Sequence, residues 1–170
     1  FVIVLASPDV ILARDVDGDG RADERRVIVT GFGEGRPRLN VQALPNSLTW
    51  GPDGRLHGAT AGNGGRLRRV VDGAPAGEAV DVNGADFSLG AGTWDVRAEA
   101  GTAQFGLTFD ALGRKFVCSN SHHIQWVRHR RGDVPAISLH ALPGALVDIP
   151  VDGPAAPVFR TSPEEPWRVV

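Results

Sequence analysis

The sequence predicts an all-β fold that forms part of a β-propeller, and three observations support this. Short apolar runs recur between turn signals along the 170 residues. The 22 glycines and 12 prolines, against 6% aromatic residues, are typical of many strands joined by tight turns. A strand–turn–strand unit also occurs twice. We expect about three blades of antiparallel four-stranded sheets, fewer than the roughly four to eight that close a propeller, and so a fragment of a larger domain.

The strands are predicted at the apolar runs, in chain order. They are 1–6, 10–13, 27–30, 47–50, 56–60, 67–71, 86–89, 94–98, 106–109, 116–119 and 124–127. No run keeps a helical period long enough to predict a helix, and Phe1–Ala6 is too short to span a membrane. The single domain, residues 1–170, is expected to contain an irregular proline-rich connection near 130–157, which leads to a strand near Val158.

The repeated unit is LTWGPDGRL at 48–56 and LTFDALGRKF at 107–116. Leu48 and Leu107 are 59 residues apart, whereas Leu56 and Phe116 are 60 apart. Repetition of a two-stranded unit at this distance indicates successive propeller blades.

Charge and cysteine content exclude several classes of function. The formal net charge is −2, so neither a nucleic acid nor an anionic membrane is expected as a partner. Cys118 is the one cysteine and cannot form an internal disulfide, a zinc cluster or a c-type haem attachment. We interpret it as a buried strand residue.

The sequence DVDGDGRAD at 15–23 predicts a calcium-binding loop. Its carboxylates occupy relative positions 1, 3, 5 and 9, and a glycine at position 6 permits a sharp turn. The predicted ligands are Asp15, Asp17, Asp19, Asp23 and the backbone carbonyl of Arg21. Arg26 stands where an EF-hand has its bidentate glutamate, and the flanking residues suit strands, so the loop is not an EF-hand. The alternative is a solvated acidic hairpin.

Polar residues at predicted strand ends are candidates for a pocket at one face of the propeller. They are Asn46, His57, Asn63, Asn120 and His123. The plain alternatives are a histidine that fills a blade position and asparagines that adopt turn conformations. His122 and His123 point to opposite faces if they lie on a strand, which disfavours a shared metal ion.

Four segments together resemble a known family: the loop at 15–23 and residues 46–65, 101–127 and 152–170. They resemble the large bacterial proteins described as membrane-bound dehydrogenases. The resemblance implies an extracytoplasmic N-terminal propeller similar to the soluble sugar and sorbosone dehydrogenases, which use pyrroloquinoline quinone and calcium. It also implies a sugar or alcohol substrate and further domains of the parent protein as partners. The CxxCH motif of a c-type haem is absent from this sequence.

One segment departs from the family pattern. The soluble sugar dehydrogenases place a catalytic histidine shortly before the segment that corresponds to 48–56, but here residues 40–46 read NVQALPN. A general base needs a titratable group within reach of its proton, and this stretch has none. Two hypotheses remain: a propeller module of a quinoprotein-like dehydrogenase, or a non-catalytic calcium-stabilised propeller that binds a glycan or a protein, or docks partner domains.

Overall fold

The computed structural model describes residues 1–131, 144–151 and 153–155. These residues form thirteen β-strands and two short 3₁₀ turns, and no α-helix. The strands are β1 Val2–Ala6, β2 Asp9–Arg14, β3 Glu24–Phe32, β4 Asn46–Trp50, β5 Arg55–Ala59, β6 Gly65–Val71, β7 Ala74–Asp81, β8 Asp86–Gly90, β9 Val96–Glu99, β10 Phe105–Phe109, β11 Lys115–Cys118, β12 Gln125–Val127 and β13 Leu146–Asp148. The 3₁₀ turns are Val41–Ala43 and Gly153–Ala155. The all-β prediction is therefore confirmed.

The strands form three antiparallel sheets. Sheet A has the order β1-β2-β3-β6-β7, sheet B the order β4-β5-β8-β9, and sheet C the order β10-β11-β12-β13. Sheet C is a simple meander. Sheet B is a meander interrupted by the β6–β7 hairpin, which leaves it and pairs with β3 of sheet A. Two sheets thus have the predicted four strands, and sheet A has five.

Two strands do not coincide with any predicted run. β7 forms at the edge of sheet A from the sequence APAGEAVD, which lacks an apolar run, because β6 supplies its hydrogen-bonding partner. β13 forms inside the stretch predicted as irregular, where it pairs with β12. The strand predicted near Val158 lies outside the described residues.

The structure shows the internal repeat as two equivalent hairpins, β4–β5 and β10–β11. Every paired position of the first has a counterpart 59 residues later: Asn46↔Ala59 with Phe105↔Cys118, Thr49↔His57 with Thr108↔Phe116, and Trp50↔Leu56 with Phe109↔Lys115. The equivalent of Leu56 is therefore Lys115 rather than Phe116. The constant 59-residue separation replaces the 59-to-60 match read from the sequence.

The two hairpins also share a bulge in their first strand. Ser47 and Gly106 have left-handed φ angles of 59° and 64° at equivalent positions, and the pairing register shifts at both places. A shared irregularity is stronger support for a repeated unit than the apolar pattern alone, because a bulge is a specific local geometry.

Sheet B lies between the other two sheets, and its two central strands are buried on both faces. Val10, Ile28, Val29, Phe32 and Leu67 of sheet A pack against Leu56, Phe87 and Leu89 of sheet B. The rings of Phe32 and Phe87 meet edge to face with centroids 5.0 Å apart. A second, smaller apolar cluster joins sheets B and C: Ala59, Ala103, Leu107, Val117 and Val127.

The described part of the chain holds no helix long and apolar enough to cross a membrane.

Gly58 provides a test of the packing between sheets A and B. A Cβ at this position would lie 2.4 Å from Cζ of Phe87, whose ring rests on the backbone of β5. We expect Gly58→Ala to lower the free energy of unfolding by about 1–3 kcal/mol, because overpacking displaces the ring. Urea denaturation measures the change. Gly144→Ala is the matched control, since no atom lies within 4 Å of a Cβ there, and an equal loss in both variants would contradict the packing argument.

Candidate functional site

The acidic loop connects β2 to β3 and is closed at its base by backbone pairing. Arg14 pairs with Glu24, and the Asp23 N–H donates to the Arg14 carbonyl over 2.9 Å. Gly18 and Gly20 have φ angles of 80° and 86°. Glycine adopts this left-handed region without steric cost, so the chain reverses sharply between the acidic residues.

Three carboxylates of this loop converge. Asp15, Asp17 and Asp19 each place one oxygen so that all three lie within 4.8 Å of one another, and all three residues are exposed. Calcium binds oxygen at about 2.3–2.6 Å, so two of its ligands can be about 5 Å apart at most. The donor type and the spacing both fit a calcium ion.

Backbone hydrogen bonds hold these carboxylates in place. Asp15 accepts the Gly18 N–H at Oδ1 over 2.7 Å and the Gly20 N–H at Oδ2 over 2.9 Å. These bonds, from Gly20 first and then Gly18, hold the pKa of Asp15 below its ordinary value. Asp17 and Asp19 each accept an N–H from two residues further on. The loop is thus shaped around ionised side chains.

The other two predicted ligands have different surroundings. Asp23 accepts the Val16 N–H at Oδ2 over 2.7 Å and does not belong to the group of three converging carboxylates. The Arg21 N–H donates to Asp19, and coordination by its carbonyl stays a prediction. The flanking strands β2 and β3 agree with the conclusion that the loop is not an EF-hand.

The candidate asparagines at the strand ends make structural hydrogen bonds. Asn63 is buried and donates to the carbonyls of Asn40 and Ala43, over 2.9 and 2.6 Å. It thereby fixes the turn that precedes β4. Asn46 donates to the carbonyls of Leu44 and Gln104, each over 3.0 Å.

Asn120 and His123 lie in the connection between β11 and β12. Asn120 donates its backbone N–H to Gln104 Oε1 over 3.1 Å. His123 is exposed. The neighbouring His122 instead faces Asp148, whose Oδ1 is 2.7 Å from its Nδ1.

His57 lies toward the other end of the β4–β5 hairpin. It is 5% exposed, and its Nε2 is 3.0 and 3.2 Å from the two carboxylate oxygens of Asp53 in the connecting turn. Its ring meets the Phe109 ring edge to face at 5.0 Å. Partial burial raises the pKa of Asp53, but the hydrogen bond from His57 and the N–H of Arg55 outweigh this and leave it below its ordinary value.

A buried ion pair joins sheets B and C and was missed by the sequence reasoning. Lys115 Nζ is 2.7 Å from Oδ2 of Asp86, whose side chain is fully buried. Asp86 also accepts the Ala103 N–H, and Lys115 also donates to the Ala100 carbonyl. Burial raises the pKa of Asp86, although the Lys115 ammonium acts against this. The available signal was an aspartate inside the apolar run that became β8.

The family described as "Domain of unknown function (DUF7133)" matches residues 1–169. The chain belongs to this family. No curated protein and no solved structure matches it. Membership of the DUF7133 family covers all three sheets but assigns no activity, so function has to be argued from the residues described above.

Removal of Lys115 tests the importance of the buried pair. We expect Lys115→Met to lower the free energy of unfolding by about 3–5 kcal/mol, because Asp86 is left charged and buried without its partner. Urea denaturation at several pH values measures this. The loss should shrink as the pH falls, because protonation of Asp86 removes the buried charge.

Two further variants control this experiment. Arg114→Gln breaks the neighbouring exposed pair with Asp110 and should cost about 0–1 kcal/mol. The double variant Asp86→Asn, Lys115→Met should be more stable than Lys115→Met alone. A double variant no more stable than the single one would show that lost packing, rather than the unpaired charge, causes the defect.

Proposed function

We propose that this chain is a calcium-stabilised β-propeller module of a larger extracytoplasmic protein. The observation that carries the proposal is the convergence of the Asp15, Asp17 and Asp19 carboxylates within 4.8 Å in a loop shaped by backbone hydrogen bonds. The extracytoplasmic location rests on the resemblance to the membrane-bound dehydrogenases.

The sheet arrangement supports the propeller part of the proposal. Sheets B and C begin with equivalent hairpins 59 residues apart, and their first strands, β4 and β10, contact each other. In a propeller the first strands of successive blades lie next to one another around the central axis. Sheet A, with its added β6–β7 hairpin, is then a modified blade.

Calcium would act on the stability of sheet A. Four carboxylates within nine residues, 15–23, repel one another by about 1 kcal/mol for each close pair in water. A divalent cation removes this repulsion and fixes the connection between β2 and β3. Because β3 contributes Ile28, Val29 and Phe32 to the main core, order in the loop stabilises the strand that anchors the sheet.

Thermal unfolding with calcium and with chelator tests this role. At a calcium concentration of about 100 times the dissociation constant, binding adds about 2.7 kcal/mol, which corresponds to a rise in Tm of roughly 5–10 °C. We expect this rise in the wild-type chain and its loss in Asp17→Asn, Asp19→Asn. Calorimetric titration should show one saturable site.

A matched double variant removes two carboxylates elsewhere. Asp72→Asn, Glu78→Gln changes exposed residues of the β6–β7 hairpin and should keep the full response to calcium. The proposal fails if Asp17→Asn, Asp19→Asn lowers Tm equally in chelator and in calcium, since the loop would then be a solvated acidic turn.

We further propose that the module acts as a scaffold that docks partner domains or binds a glycan or protein. The asparagines near the first strands of sheets B and C are occupied by hydrogen bonds to backbone groups. Arg36 at the same end donates to the carbonyls of Asn63 and Gly62. These described residues present no free cationic group to the carboxylates of pyrroloquinoline quinone, and no general base.

A dye-reduction assay separates this scaffold from the quinoprotein-like dehydrogenase. We expect the full-length parent protein, supplied with pyrroloquinoline quinone, calcium and a series of sugars and alcohols, to reduce no more dye than without the quinone. Quinone-dependent reduction that disappears when Asn46 or Asn63 is replaced by alanine would overturn the scaffold proposal in favour of the dehydrogenase.

A further inference from the structure

A cleft of about 210 Å³ opens between sheets B and C, separate from the calcium loop. The β4–β5 turn and β5 contribute Asp53 and His57 to its lining, and β9 contributes Glu99. The β10–β11 hairpin contributes Phe109 and Lys115. Residues 128–130, which follow β12, complete the lining.

Two imidazole nitrogens at this cleft are buried without a partner among the described residues. They are Nδ1 of His57, from sheet B, and Nε2 of His129, from the chain that leaves sheet C. A buried polar atom normally has a hydrogen-bond partner, because burial removes its bonds to water. Two such atoms in residues that line one cleft indicate that a polar group belongs between the sheets.

Asp53 determines what His57 can offer to that group. Its carboxylate lies at Nε2, so Nε2 carries the proton and donates. The same carboxylate stabilises the doubly protonated ring, as an aspartate does for an active-site imidazole. In that form Nδ1–H is a donor, and a negatively charged acceptor is its best partner.

The charged lining favours an anion, although the whole chain carries a net charge of −2. Asp53 and Glu99 are its acidic residues, and its four arginines and lysines are Arg114, Lys115, Arg128 and Arg130. Arg114 is paired with Asp110 and Lys115 with Asp86. Arg128 lies over the Trp126 ring at 5.9 Å and makes no ion pair with a described residue.

We propose that this cleft binds a small molecule with an oxyanion head, a carboxylate or a phosphate, between His57, His129 and Arg128. A cavity of about 150 Å³ can hold benzene, so the cleft has room for one ring beside the head group. The apolar edge of such a ring would contact Phe109. The proposal is independent of the calcium loop, which belongs to sheet A.

Nuclear magnetic resonance of the full chain with labelled histidine tests the proposal. The probes are benzoate, a carboxylate with a ring, inorganic phosphate, an oxyanion alone, and benzyl alcohol, which has the ring without the charge. We expect benzoate to shift the His57 and His129 resonances saturably and benzyl alcohol to leave them unchanged. Phosphate binding as tight as that of benzoate would identify the oxyanion alone as the ligand, and weaker phosphate binding would add the ring.

Three variants locate the binding. Arg128→Gln and His129→Phe each remove one charged or donor group and should raise the benzoate dissociation constant about tenfold. Arg68→Gln is the matched control, because Arg68 lies in sheet A with Glu34 as its partner, and it should change nothing. Affinity should also fall as the pH rises and the two imidazoles lose their second proton, with Asp53, Glu99, Lys115, Arg114, Arg128 and Arg130 as the facing charges.

Three results would overturn the proposal. The first is that no anion shifts either imidazole. The second is that benzyl alcohol binds as tightly as benzoate, which would make the cleft merely apolar. The third is that Arg68→Gln weakens binding as much as Arg128→Gln, which would show a non-specific effect of charge. If His129→Phe does not fold, Arg128→Gln against Arg68→Gln decides the question alone.

Discussion

The buried pair of Asp86 and Lys115 constrains how sheets B and C pack. Asp86 in β8 accepts one bond from Lys115 in β11 and one from the Ala103 N–H, and Lys115 donates a second to the Ala100 carbonyl. A sliding of one sheet over the other would break all three bonds and leave two buried charges unpaired. A buried pair adds little stability over a well-packed apolar pair, but it penalises every wrong alignment heavily. Its role here is to fix one arrangement.

The two interfaces of sheet B differ in chemistry because side chains alternate along its strands. On β5 and β8, Leu56, Phe87 and Leu89 face sheet A and form the main apolar core. The alternate residues of the same strands are polar and face sheet C, where Arg55 donates to Ser88 and Asp86 meets Lys115. An apolar interface fills space by dispersion, whereas a polar one must satisfy each group. The polar interface is where the cleft and its unpartnered imidazole nitrogens occur.

The sequence allowed the local features of the fold and of the loop to be predicted. Strand class follows from composition and turn residues, and the loop at 15–23 follows from spacing, since its hydrogen bonds join residues only a few positions apart. The pairing of β6 with β3 could not be predicted, because it joins Thr30 to Arg68 across two strands of another sheet. The Asp86–Lys115 pair was missed for the same reason: each residue is ordinary in its own segment, and only sheet packing brings them together.

The calcium loop and the cleft lie at opposite sides of this layered structure, and β3 determines how far an effect of the loop can reach. β3 begins at Glu24, directly after the loop, and carries Ile28, Val29 and Phe32 into the core between sheets A and B. Phe32 touches Phe87 of β8, and β8 also carries Asp86, which holds Lys115. Order in the loop is therefore transmitted as stability of the sheet stack. A direct electrostatic influence on the cleft is not required, because packed layers share their free energy of unfolding when they unfold as one cooperative unit.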